Sequence, residues 1–154
     1  MKTQAGFTVI ELLVVITIIA VLSSLFGIGM LRSVRTSELN NAAYQMAADL
    51  RRARSLSQVK SIDGKITFSG NSYTITQGTL VKQVTLPYGV TLSCGSSTCG
   101  TTSGFTYSAP YGEIDGTGSV YTLKSPNTAM NIPSVDVRVV GVTGKVTVVR
   151  TSQQ

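Results

Sequence analysis

Few side chains in this 154-residue sequence are suited to catalysis. The chain has no histidine and only seven acidic residues, which excludes Ser-His-Asp and Cys-His nucleophiles and the commonest general base at neutral pH. A serine–lysine pair is the remaining nucleophilic arrangement, but Ser119, Lys124 and Ser125 lie in no catalytic motif. We therefore predict that the protein is not an enzyme and that it uses no cofactor or catalytic metal.

The two cysteines, Cys94 and Cys99, enclose the tetrapeptide Gly-Ser-Ser-Thr. Outside the cytoplasm this arrangement predicts a disulfide, with two free thiols as the alternative. A metal site at the cysteines would need two further ligands, and no histidine is present to provide one. Glu113 and Asp115 offer carboxylates for a cation such as calcium, although Asp115 with the glycine after it is more simply explained as a turn.

The chain is basic, with a net charge of +6. Its densest cluster of cations is Arg51, Arg52 and Arg54. We expect these arginines to form a solvated face or a contact between subunits, and an anion site is the alternative.

An apolar run extends from Phe7 to Leu31, and Glu11 is its only ionisable side chain. At 1.5 Å per residue this run gives roughly 37 Å of helix, enough for a hydrocarbon core of about 30 Å. A secretory signal peptide has a shorter apolar region followed by a small-residue cleavage site, which is not present here. The run therefore predicts a helix that stays in the membrane, although basic residues on its two sides leave its orientation undecided.

Glu11 is the informative residue, because a carboxylate at membrane depth costs several kcal/mol unless it is paired or reaches the surface. One interpretation places Glu11 shallow enough to contact lipid headgroups. The other pairs it with a cation from a neighbouring copy of the chain. Cleavage after Gly6 would create such a cation, the free α-amine of Phe7.

The short basic leader ending at Gly6, followed by Phe7-Thr-Val-Ile-Glu11 and an apolar run, resembles the class III leader and N-terminal helix of type IV pilins and pseudopilins. The resemblance implies that a prepilin peptidase cuts after Gly6 and N-methylates Phe7, and that Glu11 pairs with that terminus. It also implies a single-pass protein of the inner (cytoplasmic) membrane, whose C-terminal domain is exported and later joins a filament. Major pilins commonly carry a proline in this helix; here Gly27 and Gly29 stand in a comparable place, as a soft point or as a site of close helix packing.

The helical pattern continues beyond the apolar run. Apolar residues recur at spacings of three and four and predict one buried helix face, made of Leu39, Ala43, Met46, Leu50 and Ala53. We expect one helix from Phe7 to about Gln58. The predicted organisation is a leader over 1–6, a transmembrane and assembly helix over 7–31, an amphipathic helix over 32–60 and a β domain over 61–154.

Short β-branched and aromatic stretches bounded by turn residues follow the helix. They predict about seven strands: Lys65–Phe68, Tyr73–Thr76, Leu80–Leu86, Val90–Cys94, Ser119–Leu123, Val135–Val140 and Lys145–Arg150. The predicted fold is α+β, a long helix packed on a small antiparallel β domain in two sheets, with one sheet on the helix face. The segment holding Tyr107, Tyr111, Glu113 and Asp115 is predicted to be a long surface loop.

The helix-to-sheet plan and the final hairpin are more loosely similar to the H-type pseudopilins of type II secretion and the T-type fimbrial minor pilins. These resemblances imply a structural subunit, either a minor pilin or a pseudopilin, that contacts the prepilin peptidase, the membrane and other pilins. The alternative is a minor pilin that binds DNA during uptake, with Arg138, Lys145 and Arg150 contacting phosphates.

Overall fold

One helix, α1, spans Val9–Lys60 and includes both the apolar and the amphipathic segments predicted from the sequence. The computed structural model describes residues 7–95, 97–100, 103–115 and 118–151, without the side chains of residues 24–28, 97 and 98. The chain divides into two compact units, Met1–Val34 and Arg35–Gln154.

Ten strands follow the helix among the described residues: β1 (Gly64–Ser69), β2 (Ser72–Gln77), β3 (Leu80–Thr85), β4 (Thr91–Cys94), β5 (Ser97–Thr98), β6 (Gly104–Ser108), β7 (Glu113–Ile114), β8 (Gly118–Lys124), β9 (Val135–Val140) and β10 (Lys145–Arg150). They form two five-stranded sheets, in the orders β3-β2-β1-β6-β7 and β10-β9-β8-β4-β5. All pairings are antiparallel. The α+β class and the division into two sheets are confirmed, and each of the seven predicted strands is present.

The predicted surface loop around residue 107 is wrong, and the predicted number of strands is therefore too low. Tyr107 lies in β6, paired with β1, and it is fully buried. Glu113 begins β7, which pairs with β6, whereas Tyr111 and Asp115 are exposed beside these strands. These strands have two to five residues each, so their sequence is dominated by the glycines, serines and threonines of the turns around them.

The helix face predicted from the apolar spacing is confirmed. Its five members are each 2% exposed or less. Ala42 and Ala47 extend the same face and are fully buried. Small side chains beside Met46 and Leu50 let the strands approach the helix closely, and each large side chain buried here contributes about 2 kcal/mol relative to exposure.

Polar contacts also join the C-terminal half of α1 to both sheets. The Tyr73 hydroxyl of β2 donates to an Asp49 carboxylate oxygen at 2.8 Å, and the Gln77 amide donates to the Ala53 carbonyl at 2.8 Å. Arg51 reaches the other sheet, where its Nη2 donates to the Val146 carbonyl at 3.1 Å. The helix therefore contacts both sheets rather than only one.

Aromatic rings pack between the two sheets. The ring centroids of Phe68 in β1 and Tyr121 in β8 are 4.2 Å apart. Phe105 packs edge-on against Tyr107 at 5.0 Å. Burial raises the pKa of Tyr107 and of Tyr121 above the ordinary value for tyrosine, so both phenols stay neutral inside the core.

Candidate processing and assembly site

The predicted cleavage site lies at the start of the chain. Gly6, the residue before the predicted cut, lies outside the described residues. Phe7, the predicted new terminus, precedes α1 and is 75% exposed. Its side chain is therefore open to contact with another molecule.

Thr8 caps the first turn of α1. The backbone N–H of Glu11 donates to the Thr8 hydroxyl at 3.3 Å and to the Thr8 carbonyl at 3.1 Å. Thr8 and Glu11 thus stand at the N-cap and N3 positions, the spacing of a capping box. This role of Thr8 was not among the predictions from the sequence, although its recognised signal is present: a threonine followed three residues later by a glutamate, before an apolar run.

Glu11 is exposed on this first turn. A carboxylate near a helix N-terminus is stabilised by the helix dipole, by about 0.3–1 kcal/mol on an exposed surface. Glu11 therefore has a favourable local position in the isolated chain, while its carboxylate is still accessible to an amine of another molecule. Its predicted pairing with a Phe7 terminus stays a prediction.

The N-terminal part of α1 exposes apolar side chains all around its axis. Those at least 43% exposed include Val9, Ile10, Leu12, Leu13, Val14, Val15, Ile16, Ile18, Ile19, Val21 and Leu22. Thr17 satisfies its hydroxyl within the helix, by donating to the Leu13 carbonyl at 2.8 Å. Within the described part of the chain, no helix meets the length and hydropathy needed to cross a membrane.

The glycine pair leaves the helix continuous. α1 runs through Gly27 and Gly29 without a break, and apart from the adjacent residues and backbone of α1 itself, a Cβ added at Gly29 would meet no atom of the described residues within 4 Å. The two predicted roles of these glycines, a soft point in the helix and a site of close helix packing, stay predictions.

Cys94 and Cys99 form the predicted disulfide, with a Cα–Cα distance of 4.9 Å. Cys94 ends β4, and Cys99 follows β5 and is 4% exposed. The Cys99 carbonyl accepts a hydrogen bond from Gly70 of the β1–β2 turn, and the Cys99 N–H donates to the Leu92 carbonyl of β4. The disulfide-bonded hairpin thus contacts both sheets.

The three cations considered for phosphate contact do not form one surface. Arg138 and Lys145 lie on the same face of their sheet. Thr147 is directly opposite Arg138, and Lys145 is two residues from Thr147 on the same strand, so all three side chains share one face. Arg138 is 3.3 Å from the Asp136 carboxylate. Arg150 falls on the opposite face by the same alternation. The DNA contact stays a prediction that this arrangement does not support.

The arginine cluster on α1 is solvent-exposed at Arg51 and Arg52 and half-buried at Arg54, as expected for a solvated face, and two of its members also contact their own domain. Arg51 donates to the Val146 carbonyl and Arg54 donates to the Gly112 carbonyl. Both side chains therefore hold loops and strands of their own domain against the helix. Arg52 is exposed and lies beside a groove, where it is still accessible to a partner.

Glu113 and Asp115 are both exposed. Among the described residues, no group of three or more His, Cys, Asp or Glu side chains is placed to hold a metal ion. The two carboxylates thus have no additional ligand of these types beside them in the described part of the chain.

A comparison with known protein families matches residues 1–30, about a fifth of the chain, to the prokaryotic N-terminal methylation motif. No curated protein and no solved structure matches the chain. The match covers Gly6, Phe7, Thr8 and Glu11, the residues that make up the candidate site. The motif suggests a membrane-anchored structural subunit, and the N-terminus of this chain is consistent with a type IV pilin-like protein.

Proposed function

We propose that the protein is a structural subunit, a minor pilin or pseudopilin, of a type IV pilus-like filament or a type II secretion pseudopilus. The match of residues 1–30 to the methylation motif carries this proposal. A prepilin peptidase would cut after Gly6 and methylate the new amine of Phe7. The precursor would cross the inner membrane once, with its C-terminal domain exported, and would wait there for assembly.

The exposed helix supports assembly through side-by-side packing. Apolar side chains cover every side of α1 between Val9 and Leu22, which suits lipid before assembly and other helices afterwards. In such surroundings a charge needs a partner. The Glu11 carboxylate would pair with the Phe7 amine of a neighbouring subunit and so fix the axial position of one helix against the next.

Assembly of Glu11 variants tests this proposal. Glu11→Gln keeps the size of the side chain and removes its charge, so we expect processed subunits that no longer enter filaments. Glu38→Gln is the matched control, because Glu38 pairs with Arg35 at 2.8 Å on the amphipathic part of α1. Filaments are counted by electron microscopy and by the fraction of subunit in sheared material.

The control variant should assemble like the unmodified chain. Normal filament yield from Glu11→Gln would contradict the pairing of Glu11 with a neighbouring amine. A loss of filaments in both variants would contradict it too, since the defect would then follow from removing any carboxylate on the helix.

A further inference from the structure

Each sheet of the globular unit ends in one long edge strand. β3 closes one sheet and β10 closes the other, and each has six residues. An edge strand presents backbone groups that can pair with another chain, and proteins usually protect such edges. The two edges differ in this respect.

The backbone groups on the open side of β3 follow from its register. The Leu86 N–H donates to the Asn71 carbonyl at 2.7 Å, and hydrogen-bonded pairs alternate along an antiparallel ladder. The N–H and C=O groups of Val81, Gln83 and Thr85 therefore point away from β2. No hydrogen bond to these groups is present within the described part of the chain.

The β10 edge is partly occupied by the protein itself. The Thr151 N–H donates to the Ser134 carbonyl at 3.1 Å, so Val146 and Val148 point their backbone groups outward by the same alternation. The Val146 carbonyl accepts hydrogen bonds from both Nε and Nη2 of Arg51, at 3.3 and 3.1 Å. Arg51 thus occupies the β10 edge at Val146, whereas no outward group of β3 has a partner within the described part of the chain.

An apolar groove runs between β3 and α1. It has a volume of about 250 Å³ and includes Leu56 from the helix and Ile75 from β2. Leu80 and Val81 border it with 64% and 67% of their surface exposed. Large exposed apolar side chains on an unprotected edge strand mark a surface that binds another chain.

The charges around the groove select the partner. Arg52 is exposed at its border, and Lys82, whose side chain is 54% exposed, pairs with Asp49. β3 and β10 contain no acidic residue, and β10 carries Lys145 and Arg150. Pairing these edges between two copies of the chain would bring cations together, which is destabilising. An acidic partner fits both the groove and the open edge.

We propose that β3 and its groove bind an extended segment of a different protein by strand addition. Such a segment would carry carboxylates alternating with apolar residues on one face. Its backbone would pair with the outward groups of Val81, Gln83 and Thr85. An apolar side chain would lie beside Leu80, and a carboxylate two residues further on would lie near Lys82. This proposal does not depend on assembly through the N-terminal helix.

Fluorescence anisotropy with two labelled peptides and the full chain in detergent micelles tests the proposal. The acidic peptide is Val-Thr-Glu-Thr repeated twice, which places valine and glutamate alternately on one face. The control peptide replaces each glutamate by lysine. We expect saturable binding of the acidic peptide, at least about tenfold weaker binding of the lysine peptide, and weaker acidic-peptide binding at high salt.

Proline substitutions separate the two edges. Gln83→Pro removes an N–H that faces away from the sheet, which an edge strand tolerates, and it should abolish peptide binding. Val148→Pro is the matched control on β10 and should leave binding unchanged. If Gln83→Pro does not fold, Arg52→Glu decides, because it should shift the preference toward the lysine peptide.

Three results would overturn the proposal. The first is no binding of the acidic peptide, or equal binding of both peptides, by the unmodified chain. The second is equal loss of binding in the two proline variants, or an unchanged peptide preference in Arg52→Glu. The third is cross-linking of β3 to β3 or β10 of a second copy, which would make the chain its own partner.

Discussion

Replacing Asp49 by alanine tests the polar contact that joins α1 to the first sheet. Its carboxylate accepts hydrogen bonds from the Tyr73 hydroxyl at 2.8 Å and from the Lys82 ammonium group at 2.7 Å. Tyr73 is 1% exposed, so its hydroxyl would lose its partner inside the core, at a cost of about 1–3 kcal/mol. Lys82 is half exposed and adds less than about 1 kcal/mol. We expect Asp49→Ala to lower the free energy of unfolding by about 2 kcal/mol.

Thermal unfolding of the full chain, followed by circular dichroism, measures this effect. For a unit of this size we expect a fall in the midpoint of roughly 4 °C per kcal/mol. Tyr73→Phe and Lys82→Met should each cost less than Asp49→Ala. The double variant Asp49→Ala, Tyr73→Phe should cost less than the sum of the two single changes, because both remove the same hydrogen bond. Additive costs, or an equal cost for Lys82→Met and Asp49→Ala, would contradict a stabilising role of the hydrogen bond between Tyr73 and Asp49.

Three further changes have expected outcomes. Replacing both Cys94 and Cys99 by serine should lower the free energy of unfolding by about 2 kcal/mol, the value for a loop of about six residues; an unchanged midpoint in thermal scans would contradict it. Gly144→Ala should lower the free energy of unfolding by about 1–3 kcal/mol more than Gly70→Ala does. Both glycines have positive φ, but of the two only Gly144 would place a Cβ 2.7 Å from the Tyr107 ring. Equal losses of stability in urea unfolding would contradict this tight fit. Burial raises the pKa of Tyr107 above 10.0, so its contribution to stability is complete below about pH 10 and is lost as the pH rises further. Tyr107→Phe should flatten the decline in stability above about pH 10 in a pH series of thermal scans, and an unchanged slope would count against it.

The helix and its buried face could be predicted because helical spacing is a local property. Leu39, Met46 and Leu50 recur every three or four residues, and the buried face follows directly from that period. β9 and β10 could be predicted for the same reason, since alternation of valine with polar residues indicates a half-buried strand without knowledge of the neighbouring strands.

The arginine contacts and the short strands could not be predicted in the same way. Arg51 bonds a carbonyl 95 residues away and Arg54 one 58 residues away, so their partners depend on how the two sheets meet the helix. β7 has two residues, too few to show a period. Tyr107 is buried because β6 pairs with β1, a long-range contact that no local pattern reveals.

The candidate site was predicted from a purely local signal, and its processing and pairing stay predictions. Gly6, Phe7 and Glu11 form a contiguous signal whose chemistry depends on neighbouring positions in the chain. The helix cap at Thr8 has an equally local signal. The open edge of β3 had none, because an edge exists only once the order of strands is known.

Mass spectrometry of the intact protein, purified from cells with an active prepilin peptidase, shows whether the leader is removed after Gly6 and whether Phe7 is methylated. We expect a mature chain that begins at Phe7 and carries the added mass of one methyl group on its α-amine. A mature chain that still begins at Met1 would contradict it.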